Sequence, residues 1–173
     1  MLGDYLIKDG VLLEPAITKK WHVLEALTRF YCRDVPETVA DLIFETVLNR
    51  ELRVSTGLGG GVAIPHARTD LVERTGVLFV RFKNGIEWES IDGSLVHFLF
   101  LVIGPTSSAD EYLHVLSRIS KILSVKSNRS ILLSSDTHHE VRKILVGIGR
   151  QPVAPILSKL PILPTGRHTR LLF

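Results

Sequence analysis

Two neighbouring stretches carry the residue types from which a reactive site could be built. The first, Thr56-Gly57-Leu58-Gly59-Gly60-Gly61, is too rich in glycine for a helix or strand interior. It lacks the Lys-Ser/Thr of a nucleotide P-loop, and Val62 stands where the third glycine of a dinucleotide fingerprint would fall. Nucleotide binding is therefore unsupported. Such backbone can approach a ligand closely and turn several N–H groups towards an anion, or it can be a plain flexible turn. The second stretch, Ile64-Pro65-His66-Ala67-Arg68, puts an imidazole just past a short extended segment, with proline fixing the backbone before it. A histidine in that setting is a nucleophile or base in some proteins and a surface or capping residue in more of them, so spacing alone does not choose. The other histidines have simpler places. His97 lies inside an apolar run as a satisfied core imidazole would, His22 falls in a helix, His138-His139 sit near a helix start, and His168 is in the tail. Together with the single Cys32 they form no zinc set. Asp92 before Gly93 reads as a turn.

The elements that must hold these residues follow from periodicity. Val23, Leu24, Leu27, Phe30 and Tyr31 share one face of a helix that Thr18 can cap. Val39, Leu42, Ile43 and Val47 mark a second helix to about Arg50, opened by Asp34 and Glu37 at capping-box spacing. Two helices thus precede the first clear strand. The glycine loop feeds the extended piece Val62-Ala63-Ile64, Val77 to Phe82 is a β-rich run, and Leu95 to Ile103 is apolar except at His97, as a central strand would be. A helix from Asp110 to about Val125 and another from Thr137 to Val146 follow. The order predicts an α/β fold, a central mixed β-sheet flanked by helices on both faces.

Composition narrows the class. The chain has 173 residues, 45% hydrophobic and 23% charged, which suits one globular domain. One cysteine and no secretory leader point to the cytoplasm. The longest apolar run is far short of the roughly 20 residues of a spanning helix, so direct membrane insertion is not expected. The net charge of +3 includes four unopposed basic residues, Arg150, Lys159, Arg167 and Arg170, which leaves −1 on residues 1–149. No basic folded face for nucleic acid is expected from that balance. The chain divides into a domain over 1–149 and a basic extension over 150–173. In the extension Pro152, Pro155, Pro161 and Pro164 exclude a regular helix, leaving a wrap-around extension, a partner-binding strap or an unstructured tail.

The motif Arg50-Glu51, then Ser55-Thr56-Gly57-Leu58-Gly59-Gly60-Gly61-Val62-Ala63-Ile64-Pro65-His66, resembles the type 2 enzyme IIA domain of the bacterial phosphoenolpyruvate-dependent phosphotransferase system. Gly85-Ile86-Glu87-Trp88, Ile91-Asp92-Gly93, Leu95 to Ile103 and Leu113-His114-Val115-Leu116 continue that likeness over roughly residues 5–147. The resemblance implies phosphorylation of His66, a second active-site histidine at His114 and an active-site arginine at Arg50. Beside what the resemblance implies, the residues themselves offer a phosphoryl-binding loop of Ser55, Thr56, Gly57, Gly59, Gly60 and Gly61, with no cofactor and no metal invoked. The donor the resemblance implies is the histidine phosphocarrier protein HPr or a paralogue; the acceptor is a IIB component, or the phosphorylated state regulates a target protein. Ala67 departs from a common glycine. The Gly85 to Gly93 features look closer to the nitrogen-related and fructose groups than to the mannitol group, and the lack of a fused IIB or permease segment favours regulation.

The chemistry agrees with this. A neutral imidazole, of unperturbed pKa about 6.5, is nucleophilic near neutral pH and forms a transferable phosphorus–nitrogen bond. Transfer asks mainly for positioning and charge stabilisation, which loop N–H groups, hydroxyls and a guanidinium supply. On the helical wheel, however, Tyr112, Leu113, Leu116, Ile119 and Leu123 take the apolar side, and His114, Ser117, Arg118 and Lys121 the opposite stripe. The rival reading is a regulatory binding module of the same fold that never carries phosphate.

Overall fold

The computed structural model describes residues 2–148. The sheet has six strands: β1 (Leu6–Leu13), β2 (Gly57–Gly59), β3 (Val62–Ala63), β4 (His66–Arg68), β5 (Gly76–Ile86) and β6 (Val96–Gly104). Their order is β1-β5-β6-β3-β2, and β4 also pairs with β6. The β1–β5, β3–β6 and β4–β6 pairs are parallel, whereas β5–β6 and β2–β3 are antiparallel, so the sheet is mixed. β6 is the central strand, and seven of its apolar residues, Val96 and Phe98 to Ile103, are at most 3% exposed. His97 interrupts that run half-buried, its Nδ1–H donating to the Phe82 carbonyl at 2.9 Å.

Helices α1 (Leu2–Tyr5), α2 (Lys20–Tyr31), α3 (Glu37–Arg53), α4 (Ala109–Ser124), α5 (Lys126–Ser134) and α6 (His138–Ile148) cover both faces. One core joins Val77, Phe79, Phe98 and Phe100 to Val115 and Ile119 of α4 and to Val141 and Leu145 of α6. The other joins Leu78, Val80, Leu99 and Leu101 to Val23, Leu24 and Leu27 of α2 and to Ile43 and Val47 of α3. The alternation of strand side chains sends odd and even positions of β5 and β6 to opposite helical layers.

Four local differences from the sequence reading have physical causes. A strand, β1, precedes the two helices; Asp9, at a φ of 55°, and Gly10 lie where its register against β5 shifts, so a turn-like Lys8-Asp9-Gly10 hides a bulged strand. The glycine segment is no simple loop but a tight β2–β3 hairpin, with φ of 87°, 62° and 81° at Gly59, Gly60 and Gly61. Neither Thr18 nor Asp34 caps a helix: the N-caps are Lys19 and Pro36, without side-chain caps. Helix α5 buries only Leu132, too little periodicity to announce itself. Residues 150–173, and with them the proposed extension, lie outside the described residues.

Candidate functional site

His66 is held by a strand that proline interrupts without breaking its register. Val62 and Ala63 pair with Phe98 and Leu99, and His66, Ala67 and Arg68 continue along the same edge of β6 opposite Val102, Ile103 and Gly104. Between the two pieces the Pro65 carbonyl accepts the Val102 N–H at 3.0 Å, and because β4 faces away on its other side, the missing proline N–H disturbs no ladder bond. Val62 and Ile64 enter the α4-side core and Ala63 and Ala67 the α3-side core, so alternation gives His66 to the α4 side of an open sheet edge.

The ring is fixed at both nitrogens. Its Nδ1 lies 2.6 Å from the Ile64 carbonyl, which can only accept, so Nδ1 carries the proton and Nε2 presents a lone pair. Arg50 Nε–H donates to that Nε2 at 3.1 Å, and a second guanidinium nitrogen of Arg50, Nη1, donates to the Val54 carbonyl at 3.0 Å. Burial pushes the His66 pKa below its ordinary value; the Ile64 bond opposes this, Arg50 adds to it, and Glu51 opposes it. These contacts favour the neutral ring with its lone pair on Nε2, the form in which an imidazole can act as a nucleophile.

Beneath it lies a buried ionic cluster. Glu51, 2% exposed, accepts the Thr56 N–H at 3.0 Å and the Thr56 hydroxyl at 2.6 Å, and it pairs with Lys20 at 3.0 Å. Lys20 reaches Glu89 at 2.7 Å, and the Ser55 hydroxyl donates to the Trp88 carbonyl at 2.9 Å. The end of α3 is thereby tied to the start of the hairpin, which sets Arg50 opposite His66.

Two clefts flank the imidazole and share Arg50, His66 and Leu116. One, of about 530 Å³, is lined by Val54, Ser55, Thr56, Gly57, Leu58 and Ile91. The other, of about 600 Å³, gathers Asn49, Arg53, Arg68, Thr106 and Tyr112. Tyr112 meets His66 edge-on at 6.1 Å between ring centroids, and the Arg68 guanidinium lies 5.9 Å from the Tyr112 ring. Burial raises the Tyr112 pKa well above the ordinary phenol range, although Arg50 and Arg68 pull the other way.

The structure therefore brings together Arg50, His66, Ser55, Thr56 and Gly57. It does not bring in the rest of the residues read from the sequence. His114 is exposed and lines neither cleft, because it sits two residues, or about 200°, round α4 from Tyr112. Gly59, Gly60 and Gly61 are likewise absent from both linings. The Gly60 N–H goes to Asp92 Oδ2 at 2.8 Å and the Gly61 N–H to Ser94 Oγ at 3.3 Å, so these donors latch the hairpin and are not free for an anion. Hydrogen bonds from the Ser94 hydroxyl and from the Gly60 and Ser94 backbone N–H groups hold the Asp92 carboxyl down to about 2. The residues that sequence reasoning missed are Glu51, Lys20, Arg68 and Tyr112. Glu51 stands in the Arg50-Glu51 motif, Arg68 two residues after His66 and Tyr112 at the head of the apolar stripe of α4, whereas nothing local marks Lys20. Among the described residues no group of three or more His, Cys, Asp or Glu could hold a metal ion, and no helix is long and apolar enough to cross a membrane.

A neutral ring nitrogen facing a guanidinium at the edge of a mixed α/β sheet is suited to taking up and releasing a phosphoryl group, and that chemistry defines a phosphocarrier domain. Residues 4–147 match the family model described as phosphoenolpyruvate-dependent sugar phosphotransferase system, EIIA 2, and the chain belongs to that family. It is 31% identical over 134 residues to the nitrogen regulatory protein of Pseudomonas aeruginosa, covering 78% of this chain and 86% of that one. It is 37% identical over 101 residues, 58% of the chain, to the PTS system fructose-specific EIIABC component of Bacillus subtilis, and spans only 16% of that longer protein. The crystal structure of nitrogen regulatory protein IIA-Ntr from Neisseria meningitidis superposes with a TM-score of 0.77 at 30% identity, over 83% of this chain and 98% of that one. The chain is accordingly a histidine phosphotransferase component, of nitrogen-related or fructose type.

Proposed function

We propose that His66 Nε2 is the atom that carries the phosphoryl group, accepted in the cytoplasm from phosphorylated HPr or a paralogue. The observation that supports this most is the pair of ring bonds, Nδ1 to the Ile64 carbonyl at 2.6 Å and Nε2 to Arg50 at 3.1 Å. In the forward step Nε2 supplies an electron pair to phosphorus, the bond from phosphorus to the donor's imidazole nitrogen breaks, and that nitrogen keeps its pair. Nδ1 keeps its proton and goes on donating it to the Ile64 carbonyl, which stabilises the ring as it gains positive character. Arg50 is released from Nε2 by the incoming group and turns its charge on the phosphoryl oxygens.

From His66 the group passes to a IIB component, or it remains as a regulatory state read by a target protein. Likeness to nitrogen regulatory proteins over most of their length supports the second destination, and likeness to a fructose-specific component keeps the first. Incubation with phosphoenolpyruvate and the general phosphotransferase proteins, followed by intact mass measurement, tests the proposal. One phosphoryl adduct is expected on the wild type and none on His66→Ala; an unmodified wild type, or an adduct that survives the substitution, removes it.

A further inference from the structure

Tyr112 opens the buried stripe of α4 and is 5% exposed. Its ring is fixed from two sides. The Cδ2 edge packs on the sheet at Gly104, where an added Cβ would stand 3.0 Å away, and the ring meets His66 with an interplanar angle of 62°. Its cleft also holds Arg50, Arg53, Arg68 and Thr106, and among the described residues the Tyr112 hydroxyl has no hydrogen-bond partner. The ring is buried but the O–H reaches the cleft without a protein acceptor, beside the His66 nitrogen and several guanidinium groups, where an anion can take its hydrogen bond.

We infer that Tyr112 is a catalytic residue whose O–H donates to an equatorial oxygen of the phosphoryl group on His66, replacing the second imidazole that the sequence resemblance placed at His114. This rests on the carrier reading of His66. No proton leaves the phenol in the transfer; the hydroxyl only strengthens its hydrogen bond as negative charge gathers on the oxygens. The choice of tyrosine has a consequence for pH. A buried phenol stays protonated throughout the neutral range, whereas an imidazole in that place would change its donor capacity near pH 6.5 or so.

The test follows transfer from a phosphorylated HPr-type protein to the full chain by rapid quench from about pH 5.5 to 8.5, where an imidazole titrates. Wild type, Tyr112→Phe and Tyr112→His are compared, with thermal unfolding measured for each. We expect Tyr112→Phe to lower kcat roughly 100- to 1,000-fold, the scale of one lost donor to a developing charge, while its unfolding midpoint and donor KM stay unchanged. Tyr112→His restores most of the rate and adds an inflection to the pH profile that the wild type lacks. Wild-type speed in Tyr112→Phe, a change in KM alone, or a slow and unstable Tyr112→Phe that histidine does not rescue overturns the inference while leaving His66 as carrier. A wild type without an adduct on His66 overturns the carrier reading and this one together.

Discussion

At the scale of single residues, the working unit is His66 with the two groups that divide its nitrogens, the Ile64 carbonyl and Arg50. Burial lowers the pKa of a histidine because the charged form loses solvent, and the adjacent guanidinium lowers it further. The unfolded chain therefore takes up this proton before the folded one does. Stability from this group is fully present above the unfolded value of about 6.5 and is lost as pH falls from there through the folded pKa. Titration of the His66 ring by nitrogen NMR is expected to show a neutral, Nδ1-protonated ring at the pH where a solvated histidine is half charged. In Arg50→Met the midpoint is expected to move upward, because a repelling charge has gone, and phosphoryl uptake to fall roughly 10- to 100-fold. A midpoint unchanged in that variant would contradict the role given to Arg50.

At the scale of elements, the site depends on how the end of α3 is fastened to the β2–β3 hairpin. Glu51 receives two bonds from Thr56 and the charge of Lys20 in a place almost without solvent. Removing Glu51 leaves the buried Lys20 with only the exposed Glu89 as counter-charge and takes the acceptor from Thr56, a loss bounded by the about 3–5 kcal/mol of a fully orphaned buried charge, whereas the same pair on a surface would be worth under about 1 kcal/mol. Glu51→Leu is expected to lose stability on that scale in urea unfolding and to separate Arg50 from His66. The double variant Lys20→Met with Glu51→Leu should recover much of the loss, since no orphan charge remains. Equal instability of the single and double variants would show that the Thr56 bonds, not the ion pair, fasten the hairpin. Gly59 is part of the same fastening: at its positive φ a side chain would be strained, and a Cβ would stand 2.8 Å from the Asp92 carboxylate.

At the scale of the whole molecule, two helical layers bury the sheet and leave one edge open at β4, where the carrier ring stands between α3 and α4. The rim of that edge is apolar: Val54, Leu58, Ile91 and Leu113 are 68%, 52%, 87% and 60% exposed. Isolated exposed hydrophobic residues are ordinary, but four around one reactive ring form a surface on which a protein donor can seat. Ile91→Glu is expected to raise the donor's KM about tenfold, the effect of one well-placed interface side chain, with kcat and thermal unfolding unchanged. An unaltered KM would move the docking surface elsewhere.

The alternation and helical spacing of apolar residues determined the mixed sheet, its central strand β6 and helices on both faces, since burial on a two-sided sheet requires that order of elements. The run from Arg50 to His66 likewise determined the family, and it supplies the ring proposed as the carrier. What lay beyond the sequence was which atoms meet. Side-chain direction on a helix changes by about 100° per residue, so the same motif around position 113 could present either Tyr112 or His114. The helical wheel sets Tyr112 on the apolar side and His114 opposite, and packing of α4 against β6 decided that Tyr112 is the one that meets His66. In the same way, the glycine N–H groups could face an anion or a neighbouring carboxylate, and the long-range approach of Asp92 and Ser94 claimed them for the hairpin. Local pattern fixes which face a residue shares; contacts between segments distant along the chain fix its partner.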